Sequence, residues 1–311
     1  MPRHSQVYSF ELTGDETFPP LESLSLDGYE MTSQEWPHWR DKLKWSDLKS
    51  LSLGPQVNTD LLKRFTGHAI ALRSLTVKTW AGEGKDTCPE LEDFVMSFHT
   101  LEKLTVRGHF LSTRALCNHP GLKQLCLHSI ELPRDGAGRP TLDVADLIQL
   151  DAKCPDLEEL DIDIYRDSSG WVSAQRCLQE RVIFTKSQWQ PNDLTRALAS
   201  GFTNLRHLTL HSELGIDFNN DSERTGRGSF LLPTFDEDLA KSFAESFFAL
   251  RPRSRLQTLT LKTGEDLRRF PQWPPAYEEL EHMSTLVVRI RAPSSPDSVL
   301  AVNIERESED L

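Results

Sequence analysis

Apolar residues return along the chain in one spacing: LESLSL at 21–26, LKSLSL at 48–53, LRSLTV at 72–77 and LEKLTV at 101–106. The same spacing continues at Leu122/Leu125/Leu127, Leu157/Leu160/Ile162, Leu205/Leu208/Leu210, Leu256/Leu259/Leu261 and Met283/Leu286/Val288, which makes nine units. The last two apolar positions alternate with polar ones, as in a short strand with one buried face. The leading leucine sits where the chain enters from the preceding turn. Upstream of five units the apolar spacing is helical: LLKRFTGHAIA, PELEDFVMSFHT, VADLIQLDAKCP, DLTRALASGFT and DLAKSFAESFFAL. Strand, loop and helix therefore alternate.

A single unit cannot fold alone. Three aliphatic side chains contribute about 1.5–3 kcal/mol each on burial, whereas ordering a backbone residue costs about 1–2 kcal/mol, over roughly 25 residues. The units must stack, with strands side by side and helices outside. Because helices are thicker than strands, the stack curves. This pattern resembles the leucine-rich-repeat solenoids of the ribonuclease-inhibitor type. The resemblance implies an α/β fold: a right-handed horseshoe of about nine repeats over residues 1–302, with a parallel inner sheet, outer helices and an acidic tail at 303–311. FPPLESLSLDGYEMTSQEWPHWRDKLKWSDLKSLSLGPQ further resembles the repeat domains of fungal F-box/leucine-rich-repeat proteins. That resemblance implies a substrate receptor of an SCF-type ubiquitin ligase. Those families carry an F-box ahead of the repeats, and 20 residues precede Leu21 here, with VYSFEL at 7–12 reading as a strand. No residue contacting a Skp1-type adaptor can be carried over, and such an adaptor is expected only if an F-box lies outside this chain.

Successive units start 27, 24, 29, 21, 35, 48, 51 and 27 residues apart, so three intervals hold insertions. ELPRDGAGRPTLD at 131–143 is a Gly/Pro turn cluster. RDSSGWVSAQRCLQERVIFTKSQWQPND at 166–193 reads as holding a short helix, and SELGIDFNNDSERTGRGSFLLPTFDED at 212–238 is polar. Inserted loops of repeat arrays project from one rim, often the binding side; drift of a solvated loop gives the same pattern.

Charge narrows the partners. The formal net charge is -12 with a pI near 5.3, which argues against nucleic acid or an anionic membrane surface, since both call for a broad basic face. No stretch approaches the ~20 apolar residues that span a bilayer, and MPRHSQVYSF is not a signal peptide. Five cysteines without a C-x-x-C pair fit reduced thiols, and a cytoplasmic or nuclear location is expected.

Motif tests favour no catalysis and no cofactor. AGEGKDT at 81–87 lacks the glycine spacing of a phosphate loop and has Asp86 where a hydroxyl should follow Lys85. In DFNNDSERTGRG at 217–228, Asp217, Asn219 and Asp221 match the first calcium-loop ligands, but Ser222 holds the required glycine position and Gly228 that of the bidentate glutamate. His207 and His211, in a strand, lie about 13 Å apart, too far to share one zinc, and read as exposed inner-wall positions. No G-x-S-x-G elbow or ordered Ser/His/Asp set is present.

What remains is the inner wall. Between the last two apolar positions runs a small, mostly hydroxyl column: Ser25, Ser52, Thr76, Thr105, Cys126, Asp161, Thr209, Thr260 and Val287. The position after them reads Asp27, Gly54, Lys78, Arg107, His128, Asp163, His211, Lys262 and Arg289. Basic residues at Lys78, Arg107 and His128, acidic ones at Glu159, Asp161 and Asp163, and basic ones again at His207, His211, Lys262 and Arg289 would form a charge-patterned groove for a protein partner. A solvated sheet face with charges for solubility would look the same. Trp36, Trp39 and Trp45 are expected to cap the apolar core, and Trp80 follows the third strand. The sequence thus describes a non-enzymatic protein-recognition module, alternatively a stand-alone scaffold or inhibitor without a ligase link, or an enzyme with a site in the 166–235 insertions.

Overall fold

Eight strands lie in parallel, in chain order: β1 (Ser23–Leu26), β2 (Ser50–Leu53), β3 (Ser74–Lys78), β4 (Lys103–Arg107), β5 (Gln124–His128), β6 (Glu159–Ile164), β7 (His207–Ser212) and β10 (Thr258–Thr263). Between β7 and β10, β8 (Ile216–Asp217) and β9 (Ser229–Phe230) form a two-stranded antiparallel ribbon inside the third insertion. The structure is a computed structural model; it describes residues 12, 15–27, 29, 31–54, 59–78, 88–129, 140–164, 193–212, 216–217, 229–230, 237–250, 255–263, 286–291 and 301–306.

The repeated spacing sets the register. Leu24, Leu51, Leu75, Leu104, Leu125, Leu160, Leu208 and Leu259 fall side by side across the eight parallel strands. Leu26, Leu53, Val77, Val106, Leu127, Ile162, Leu210 and Leu261 form a second row. From β2 onward both rows are buried. A one-residue slip would expose them all at once, which is why this register is strongly specified.

Helices fill the intervals: α1 (Trp36–Lys42), α2 (Thr59–Phe65), α3 (Pro89–Met96), α4 (Thr113–Leu116), α5 (Val144–Lys153), α6 (Asp193–Ser200) and α7 (Glu237–Ala249). From α2 to α7 each packs on the next, in the order of the strands. Pro89 opens α3, where its missing N–H costs nothing. Asp143 and Asp146 close a reciprocal capping box on α5. After α2 the chain reverses through Gly67 at φ 80°, a left-handed conformation a side chain would strain. α4 has a single turn because its interval is the shortest, 21 residues. The first-end aromatics close the core: Trp45 packs on Phe65 at 5.1 Å, Trp36 on Phe65 at 5.8 Å and Phe18 stacks on Trp39 at 4.6 Å.

One residue before each strand, a main-chain carbonyl accepts two N–H groups from the next repeat. Glu22 takes Lys49 and Ser50, Lys49 takes Arg73 and Ser74, and the chain continues through Arg73, Glu102, Lys123, Glu158 and Arg206. The same positions carry charged side chains of both signs, pairing Lys49 with Glu22, Arg73 and Lys123 with Glu102, and Arg206 with Glu158. Lys123, then Arg73, holds the Glu102 carboxyl below its usual range. Replacing Glu102 by Lys puts four cations in a row, from Lys49 to Lys123. The unfolding midpoint should fall at low salt and recover in part as screening rises, and a salt-independent change would count against the column.

The last expected unit departs from the array. β11 (Leu286–Arg291) runs antiparallel to β10, and β12 (Ala301–Arg306) antiparallel to β11. Among the described residues the parallel repeats therefore number eight, not nine. Spacing gives a strand its faces but not its direction, and the final pair ends the parallel stack as terminal units of arrays commonly do. β12 also crosses the expected tail boundary at 302/303: apolar Val302 and Ile304 pair in register with Ile290 and Val288, a period of two that the surrounding charge concealed.

Candidate binding groove on the strand face

The buried leucine rows face the helices, so the alternate positions of each strand face away from them. Three columns result. The first runs Ser23, Ser50, Ser74, Lys103, Gln124, Glu159, His207 and Thr258; the second is the hydroxyl column; the third runs from Lys78 through Arg107, His128, Asp163 and His211 to Lys262. β1 to β3 offer serine and threonine in the first two columns, and the charged and ring-bearing groups begin at β4.

From β4 to β7 these side chains surround an open hollow of about 230 Å³, polar in lining, bounded by Lys103, Arg107, Gln124, Cys126, Glu159, Asp161 and His207. Gln124 donates to Glu159 at 3.0 Å, and His207 Nδ1 lies 2.7 Å from Thr258 Oγ1. Cys126 lines the hollow but is no thiolate: burial first, then the Asp161 charge, pushes its thiol up to about 12.

At the exit ends of β5 to β7 the third column turns inward. His128, Asp163 and His211, only 7, 5 and 7% exposed, form a hydrogen-bonded cluster. Asp163 Oδ1 lies 2.8 Å from His128 Nδ1, and its other oxygen accepts the Ser129 backbone N–H at 2.5 Å. His211 Nε2 lies 2.6 Å from Asp161 Oδ1, and the two imidazoles stack at 4.0 Å. Burial, with the neighbouring His128, lowers the affinity of His211 for a proton. For Asp161 burial acts the other way, but the hydrogen bond and charge of His211, with His128 and Lys262, hold its carboxyl below the usual range.

The structure brings Arg107, Glu159, Asp161 and His207 to one hollow, and His128, Asp163 and His211 to the adjoining cluster. His211 is thus buried, not an exposed wall position, because it leans over β6 to reach Asp161. Lys78 stands apart: its ammonium lies 3.7 Å from Asp27, two strands away, with Gly54 between them offering no side chain. Lys262 continues the third column beside His211. Arg289 does not follow it. In the antiparallel register it sits opposite Thr260, while Val287 faces Lys262.

Lys103 and Gln124 share the column of Glu159 and His207 and were missed because only the two later columns were followed from unit to unit; reading the first column across units would have found them. The loop at 81–87, Trp80, the segment 7–11, the tail at 307–311 and most of the insertions at 131–143, 166–193 and 212–238 lie outside the described residues. Among the described residues no helix is long and apolar enough to cross a membrane, and Cys88, Cys117, Cys126 and Cys154 are free thiols.

Register, helix order and repeated leucine rows together define a leucine-rich-repeat α/β solenoid. No family profile matches the chain, and no curated protein matches it. Among solved structures it is similar to the leucine-rich repeat-containing protein LegL7 from Legionella pneumophila, at 13% identity, over 78% of this chain and 74% of that one, with a TM-score of 0.36.

Proposed function

We propose that this chain is a non-enzymatic recognition module that holds a protein partner along the strand face between β4 and β10. The carrying observation is the hollow, where Lys103 and Arg107 stand across from Glu159 and Asp161 on a rigid sheet. Such a surface selects a segment bearing both acidic and basic side chains, because each misplaced like charge costs binding and slows encounter. The protonated Cys126 removes the one thiol lining the hollow from nucleophilic chemistry at neutral pH. Presentation of bound partners to an SCF-type ubiquitin ligase, in cytoplasm or nucleus, is the concrete form of this reading; its support is the resemblance of residues 18–56 to fungal F-box/leucine-rich-repeat proteins.

Affinity capture with the wild-type chain and with Lys103→Glu plus Arg107→Glu tests both levels. Loss of the wild type's partners in the double variant, with folding intact by circular dichroism, supports the groove; equal recovery refutes it. A Skp1-type adaptor among the captured proteins supports the ligase role, and its absence beside a retained partner favours a stand-alone scaffold.

A further inference from the structure

His128, Asp163 and His211 hold one column position on three consecutive strands, and donor atoms, one from each, lie within 4.8 Å of one another. Asp163 is buried within the cluster, whereas Asp161, its side chain 27% exposed, reaches His211 from the wall of the open hollow. A divalent cation at the centre would meet one donor atom from each of His128, Asp163 and His211.

The donor set fits such an ion. Two imidazoles and a carboxylate are a common zinc ligand set, with bonds of about 2.0–2.2 Å and donors therefore about 3.4 Å apart in a tetrahedral site. Closing the cluster onto an ion needs movements of about an ångström, within what side-chain torsions supply. Asp161 adds the outer support typical of metal-binding histidines: a carboxylate accepting from one ring nitrogen fixes the tautomer, so the other presents its lone pair. We propose that His128, Asp163 and His211 form a binding site for a divalent zinc-like cation, with Asp161 as the positioning residue for His211. The three strands that supply the ligands are those that lead into the three insertions. An ion here would tie the roots of all three together, whatever partner the groove takes.

The full chain, stripped with a chelator, is titrated with Zn²⁺ by calorimetry and with Co²⁺ by visible absorption at pH 7.5. The expected result is one ion per chain, a ligand-field spectrum of mixed nitrogen and oxygen donors, and a zinc-dependent rise of the wild-type unfolding temperature. Asp161→Asn should weaken zinc binding by about tenfold or more, His211→Gln at least as much while keeping a donor for Asp161, and Lys103→Ala not at all. A wild-type chain that binds no zinc overturns the proposal. Binding with the same affinity and cobalt spectrum in His211→Gln and Asp163→Asn as in the wild type places the ion elsewhere and overturns it equally.

Discussion

Replacing Leu104 by Ala should lower the stability of the chain by about 3 kcal/mol, within the range of about 2–5 kcal/mol for emptying a fully buried leucine site. Leu104 is 0% exposed, at the centre of β4, with Leu75 and Leu125 in register on either side. Removing its side chain opens a void shared by three repeats, and the carbonyl ladder before each strand holds those repeats too firmly to collapse into it. Against a total stability of about 5–15 kcal/mol for an ordinary domain, the loss is large. In a solenoid it also weakens two nearest-neighbour interfaces at once, so unfolding should become less cooperative, with a lower and broader denaturant transition. Ile148→Ala is the control: Ile148 is 61% exposed on α5, and its removal should change stability by under about 0.5 kcal/mol. If Leu104→Ala matches that control in chemical denaturation, the leucine rows are not the core described here.

The same rows explain how much of the fold could be read from sequence. A triplet spaced L-x-x-L-x-L states which residues are buried and which face away, and eight triplets in series leave little choice but a parallel stack. It carries no statement of strand direction, so Leu286 and Val288 looked like a further repeat although β11 runs the other way. α4 was invisible because four residues show no helical period. The charge column from Glu22 to Arg206 went unnoticed because each residue lies outside the alternating strand and pairs only with its counterparts in neighbouring repeats.

The site was legible by position and not by contact. Arg107, Asp161 and His207 could be assigned to the inner wall from alternation alone. That His211 stacks on His128 could not, since the two belong to different repeats and meet only by leaning across β6. Short sequence spacing relates His211 to His207, which turns instead to Thr258. Side chains adjacent in space lie 35 residues apart for His128 and Asp163 and 50 for Asp161 and His211. In repeat architectures the informative reading runs across units, column by column.

A column-independent group should dominate the response to mild acid. His119, between α4 and β5, is 0% exposed, packs against Phe98 at 5.6 Å, and makes no hydrogen bond of acceptable geometry with its ring among the described residues. Burial, only partly offset by the nearby Val95 backbone, lowers its pKa to about 4 from an ordinary 6.5. The unfolded chain therefore binds this proton where the folded chain does not. Stability is complete above pH 6.5, declines as pH falls toward 4, and stops declining on this account below it, a total on the order of 3 kcal/mol. The lowered carboxylates Glu102 and Asp161 lose their contribution at more acid pH, beneath their ordinary values, and His211 shares the direction of His119. The difference between wild type and His119→Leu isolates the group. Urea midpoints measured from pH 7.5 to 4.5 should fall more steeply for wild type than for the variant, so that the wild type loses ground to it toward the acid end; parallel curves would mean that His119 is solvated or paired in solution.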